Sequence, residues 1–170
     1  MKQVKKMVYA AIFVALAFVF SLFSVTFGNS MQIGITEFPI MASGFVLGPV
    51  FGSLVGLVKD FITMMRHSYP PSLFTISPIL LGFIPGLASL IFAKDKLYKS
   101  AKWLFVVVFI TTLLRTINNS VALYFVNGLE IKAILLLLPM KLVILTIEAV
   151  LYAIIFRTLL PIIKQHFLHE

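Results

Sequence analysis

Long runs of nearly uncharged residues recur along this chain, and that succession limits its possible folds more than any other feature. Met7–Phe27, Leu73–Ala93, Trp103–Phe125 and Ile131–Leu160 are each about twenty residues or longer, which at ~1.5 Å rise per residue is enough to cross a ~30 Å hydrocarbon layer as helix. Helices suit such runs because lipid offers no partner to a free backbone N–H or C=O. Composition points the same way. Apolar residues are 61% of the 170, charged residues only 12%, and mean hydropathy is +1.08. A soluble domain of this size has too much surface relative to its volume to hide that much apolar area. Lipid is the solvent.

Lys2, Lys5 and Lys6 ahead of the first run also fit a signal peptide. The run is long for that and no clear small-x-small cleavage site follows, so it reads as the first transmembrane helix. Gly28–Thr36 is a polar loop. Phe38–Leu47 is short and apolar, and Gly48-Pro49 separates it from a second segment reaching about Met65. Neither segment is a comfortable span alone, and short or broken helices are typical of membrane proteins built round a cavity. Pro70-Pro71 marks a loop, and Lys94–Lys102 is a basic one. Pro78 and Pro85 are expected to bend the fourth span, and Pro139 to tilt or interrupt the last.

The sequence therefore predicts an all-α membrane protein. It is a single domain over residues 1–170, a bundle of six transmembrane helices near 5–27, 37–48, 49–66, 73–93, 102–125 and 131–160. Some of these are short or broken by Pro and Gly. The formal charge of +8 sits in clusters between apolar runs and on no continuous basic face, so it sets topology and does not point to nucleic acid. Lys2, Lys5, Lys6, Lys94, Lys96, Lys99, Lys102, Arg157 and Lys164 share one side, against Arg66 and Lys132 on the other. Both termini are expected to be cytoplasmic.

Several chemistries drop out. There is no cysteine, hence no disulfide, thiolate or Cys-ligated metal. His67, His166 and His169 form no pair on an apolar helix face with a carboxylate beside it, so no metal site is expected. Glu37, Asp60, Asp95, Glu130, Glu148 and Glu170 are scattered, which argues against a membrane-embedded enzyme, and no catalytic residue is assigned. A stand-alone transporter or channel would show coupling-ion sites or repeats, and no repeat is evident.

Gly44, Gly48, Gly52 and Gly56 recur every fourth residue, with Asp60 in the same series. Glycines so spaced give a smooth helix face for close packing. Ala10, Ala11, Ala15 and Ala17 make a small-residue patch on the first helix, suited to a contact within the bundle or with another membrane protein. Polar groups inside spans are costly and face a cavity or a partner. Arg115 shares a helical face with Asn118 and Asn119, Lys141 and Glu148 lie seven apart, and Lys59 and Asp60 sit in the third segment. Glu148 is best read as one half of an internal ion pair with Arg115 or Lys141. Arg115 with the two asparagines is best read as a ligand site at the outer end, joined by Gln32, Tyr69 and Phe74. A guanidinium, carboxamides and rings together suit a small planar, partly anionic molecule.

Beyond these readings, the chain resembles the S components of energy-coupling factor (ECF) vitamin transporters, ABC-type importers of bacterial plasma membranes. The likeness runs through the Ala-rich first helix, Phe38-Pro39-Ile40, Gly48-Pro49-Val50-Phe51-Gly52, Gly56, Asp60, Phe74-Thr75-Ile76-Ser77 and Gly82-Phe83-Ile84-Pro85-Gly86. Leu138-Pro139-Met140-Lys141-Leu142, with Ile147-Glu148 and Leu151-Tyr152, is similar to the last helix of the folate-type branch. The resemblance implies a vitamin-binding subunit with Thr75, Ser77 and Lys141 added to the ligand set. Folate is the first choice, with pantothenate, a hydroxymethylpyrimidine or riboflavin open, as is a structural subunit without ligand. It implies docking through Ala10, Ala11 and Ala15 on a transmembrane coupling protein (the T component) that works with two ABC ATPases. No Gly-rich phosphate loop is present, so ATP chemistry belongs to the partners and the chain needs no cofactor.

Overall fold

The computed structural model describes residues 3–23, 25–27, 31–33, 35–67, 72–92 and 100–168, the side chains of 25–27, 31–33, 67, 101 and 160–168 excepted. Among them are six α-helices: α1 (Gln3–Leu22), α2 (Glu37–Leu47), α3 (Pro49–His67), α4 (Ile76–Ile91), α5 (Ala101–Asn127) and α6 (Ile131–Leu168). A 3-10 turn, Leu73–Thr75, leads into α4. Four stretches are long and apolar enough to cross a membrane: Gln3–Leu22, Leu73–Ile91, Lys102–Asn127 and Ile131–Leu159. The 11 residues of α2 reach only about half-way at ~1.5 Å each.

Contacts along the seams give the direction of each helix. Gly56 meets Pro78, Gly52 meets Gly82 and Gly86 meets Pro49, so α3 and α4 run antiparallel. Ser77 reaches Asn119 while Phe92 packs on Trp103, which sets α4 against α5. Arg115 with Glu148 and Ser120 with Lys141 set α5 against α6. Lys6 over the Phe51 ring puts the starts of α1 and α3 at one end. Successive helices thus alternate in direction, and the excess of positive residues makes the end holding Lys5 and Lys6 the one expected to face the cytoplasm.

Glycine explains how α2, α3 and α4 come so close. A Cβ on Gly44, Gly52 or Gly56 would overlap backbone atoms of Gly82 or Pro78 on α4. Gly48 differs from the packing role expected of it. A Cβ there would meet nothing within 4 Å, and its φ of +96° is what lets the chain reverse between α2 and α3. Aromatic rings fill the rest of the centre: Phe156 of α6 packs on Phe38 and Phe45 of α2, centroids 4.8 and 5.1 Å away. The outer faces of α1, α5 and α6 are apolar and exposed, Leu136 at 81% and Val4 at 70%, as lipid requires.

The helix limits differ in places from those expected. The first helix stops at Leu22, because Val25–Phe27 pairs antiparallel with Met31–Ile33, Thr26 opposite Gln32. The β-branched pair Val25-Thr26 favours that extended conformation over further helix. The last helix passes both Pro139 and Pro161 and ends at Leu168. Pro78 falls in the first turn of α4, where its missing N–H has no intrahelical partner to lose. On α1, Ala11 and Ala15 are exposed on one face, whereas Ala10 turns inward against the core that holds Ala17.

Candidate functional site

The glycine-tight seam between α3 and α4 lays the last turns of α3 beside the first turn of α4. The start of α2 and the second half of α5 close the other sides. Between them is a cavity of about 440 Å³, at the end of the bundle away from Lys5 and Lys6. Thr36 and Glu37 come from the start of α2, and Lys59, Asp60 and Thr63 from α3. Phe74, Ser77 and Pro78 come from the α4 entry, and Arg115, Asn119 and Asn127 from α5. Ile40, Pro78, Leu81 and Val126 supply apolar wall. Apolar walls with a few convergent polar groups are the usual make-up of a small-molecule pocket.

Arg115 is the hub of the cavity's charge. Its Nη2 donates to Glu148 Oε2 at 3.2 Å, and its Nη1 is paired with Glu37 Oε1. One guanidinium therefore ties α2, α5 and α6 together and is matched by two carboxylates. Neither Lys59 nor Asp60 takes part in those pairs. Buried polar atoms of the lining, among them Thr36 Oγ1, Glu37 Oε2, Asp60 Oδ2 and Arg115 Nε, have no hydrogen-bond partner among the described residues. Buried polar groups are nearly always bonded, so such a concentration at a cavity marks a place where something polar binds. Among the described residues, no group of three His, Cys, Asp or Glu is placed to hold a metal ion.

The whole chain from residue 5 to residue 168 matches the family model described as ECF transporter, substrate-specific component. The chain belongs to this family. The folate transporter FolT of Clostridium novyi (strain NT) is 30% identical over 137 residues, 79% of this chain and 77% of that protein. An uncharacterised MG313 homolog of Mycoplasma pneumoniae is 29% identical over 87 residues, and the chain spans only 30% of its length. Among solved structures, FolT bound with folic acid superposes with a TM-score of 0.69 at 21% identity, over 92% of this chain and 96% of that one. The S-component for biotin from an ECF-type ABC transporter gives 0.64 at 20%, over 93% and 92%. The fold is thus common to solved structures named for folic acid and for biotin. This S component is a multi-pass protein of a bacterial plasma membrane.

Of the residues expected at the ligand site, Phe74, Ser77, Arg115 and Asn119 line the cavity of this S component. Asn118 does not. Its Nδ2 donates to Ser77 Oγ at 2.9 Å and to the Leu73 carbonyl at 3.1 Å, and Ser77 Oγ donates to Asn119 Oδ1 at 2.5 Å. The asparagines thus fix the entry to α4, and Asn119 alone of the two reaches the cavity. Thr75 is half-buried next to Asp60, with its hydroxyl oxygen shielded, and is not a lining residue of the cavity. Lys141 is on the α5–α6 seam, donating to Ser120 Oγ at 3.2 Å, and is not a cavity residue. Gln32 lies in the second strand with its side chain not described, and Tyr69 lies outside the described residues, as does most of the Lys94–Lys102 loop. The histidine side chains lie outside them too.

Sequence reasoning placed Lys59 and Asp60 in a span but not at the site, and missed Glu37, Thr36 and Thr63. The glycine spacing held the signal for Asp60. It follows Gly48, Gly52 and Gly56 at four-residue intervals, so it shares the face that Gly52 and Gly56 present to α4. Glu37 carried no such signal, because its partner Arg115 is remote in sequence.

Proposed function

We propose that this S component captures a vitamin, folate in the first instance, in the cavity between α2, α3, α4 and α5 and hands it inward. The site lies at the outer end of a bundle whose basic end is cytoplasmic, as capture from outside requires. The observation that carries the reading is a cavity that joins the Phe74 ring to charged groups from α2, α3 and α5, in a chain that shares 30% identity with a folate transporter over most of both lengths. Folate is a flat, hydrogen-bonding bicycle on a tail that ends in carboxylates. Phe74 offers the ring an aromatic surface, with Pro78 and Leu81 as apolar wall. Lys59, which is in neither of the Arg115 ion pairs, supplies a cation for a ligand carboxylate.

Transport in this reading uses a transmembrane coupling protein and two ABC ATPases as partners. The exposed Ala11–Ala15 face of α1 is the docking surface that the family resemblance implies.

The test is a thermal-shift panel on the detergent-purified protein with folate, pantothenate, hydroxymethylpyrimidine, riboflavin and biotin. A ligand of the folded state at a hundredfold excess over its Kd adds ~2.7 kcal/mol of stability. A shift with folate alone is the expected result. A shift with another vitamin and none with folate overturns the ligand assignment, and no shift at all in folded protein overturns the binding role.

A further inference from the structure

The proposed ligand leaves open which group in the cavity reads its ring. Asp60 combines three properties. It is 8% exposed, it lines the cavity, and its Oδ2 has no hydrogen-bond partner among the described residues. Glu37 also has an oxygen without a partner, but its other oxygen is already held in the ion pair with Arg115. Asp60 is in neither ion pair. Each carboxylate oxygen can accept two hydrogen bonds, so contact with Thr75 leaves acceptor capacity on both.

From this we infer that Asp60 is the specificity-determining acceptor for a ligand ring edge bearing two adjacent N–H donors, the 2-amino-4-oxo-pyrimidine edge of a pterin. This rests on the reading of the cavity as a folate-type site. The 2-amino group and N3–H of that edge point the same way at the spacing of two carboxylate oxygens, giving a charge-assisted bidentate pair. Replacing the 2-amino group by oxygen, as in a lumazine, turns donor–donor into donor–acceptor. The new carbonyl then faces a carboxylate oxygen, two acceptors with no hydrogen between them. Buried polar groups left unpaired in this way are what give a site strong discrimination. Asp60→Asn reverses the logic. The carboxamide offers one acceptor and one donor, complementary to the lumazine edge and mismatched to the pterin.

The experiment is equilibrium binding to the full chain in detergent, with folate first and then the matched pair 6-methylpterin and 6-methyllumazine. Wild type is expected to bind folate and to prefer the pterin by at least ~100-fold. In Asp60→Asn the preference is expected to collapse to within ~10-fold or to invert, with lumazine binding gained in absolute terms. Gain of binding cannot come from misfolding, and the wild-type ratio needs no variant. Folate binding with equal affinity for the two analogues, or with an unchanged ratio in Asp60→Asn, overturns the role of Asp60 and leaves the proposed function standing. A switch produced by Glu37→Gln instead moves the role to Glu37 and overturns it as well. No folate or pterin binding by folded wild type overturns the folate-type reading, and this inference with it.

Discussion

Arg115 of α5 donates to Glu148 of α6 at 3.2 Å inside the membrane-spanning bundle, and the same guanidinium is paired with Glu37 of α2. Removing one partner of a buried ion pair costs far more than the pair contributes, because the remaining charge stays buried. Arg115→Ala strands two carboxylates and is expected to destabilise the protein by ~3–5 kcal/mol, read as a lowered unfolding temperature in detergent. The triple variant Arg115→Met, Glu37→Gln, Glu148→Gln removes all three charges and is expected to recover most of that loss. A triple variant no more stable than Arg115→Ala would mean that the charges themselves hold the helices together.

The α2–α3–α4 seam makes a different prediction. Gly52 and Gly82 face each other so closely that a methyl on either one overlaps the other's backbone. Gly52→Ala or Gly82→Ala is expected to cost ~1–3 kcal/mol or more, as overpacking does. The double variant should cost less than the sum, since the first methyl already parts the helices. Gly48→Ala acts through backbone conformation alone at φ +96°. Its cost should therefore add to that of Gly82→Ala. Thermal melts of the three single and two double variants check both statements.

The helices were legible from hydropathy, because each run of about twenty apolar residues satisfies its own backbone in lipid without reference to the rest of the chain. The site was legible only in part. Arg115 is conspicuous as a cation in a span, but its two partners depend on helix register. That register is set by glycine contacts between α3 and α4 and by the Ser77–Asn119 and Ser120–Lys141 bonds. No local pattern encodes those pairings. The i, i+3 and i+4 spacing put Asn118 and Asn119 on one face with Arg115, yet the fold uses Asn118 to tie down Leu73 and Ser77. Lys141, expected at the ligand site by family likeness, donates to Ser120 on the α5–α6 seam.

Substitution of Lys59 tests the proposed ligand's tail apart from its ring. If Lys59 meets a folate carboxylate, Lys59→Gln should weaken folate about tenfold, ~1.4 kcal/mol, and leave 6-methylpterin, which has no carboxylate, within twofold of wild type. Titrations of both compounds against both proteins decide it. Equal loss for the two would place Lys59 against the ring, and no loss for either would leave it structural.

The exposed face of α1 separates binding from transport. Ala11 and Ala15 look outward beside Val8, Ile12 and Val19, while Ala10 packs with Phe13 and Val14 against the core. A bulky ring at an outward position has lipid to occupy, so the isolated S component should keep its stability and ligand affinity in Ala11→Trp and Ala15→Trp. Uptake should nevertheless be abolished in both, because a flat small-residue surface is what lets a partner helix approach closely. Ala10→Trp should behave differently, lowering stability and ligand binding together by overpacking the core. The measurements are ligand affinity in detergent and vitamin accumulation in cells that express the partners. If Ala11→Trp and Ala15→Trp transport normally, this face does not dock. If they lose binding along with uptake, the face supports the cavity and its role is internal.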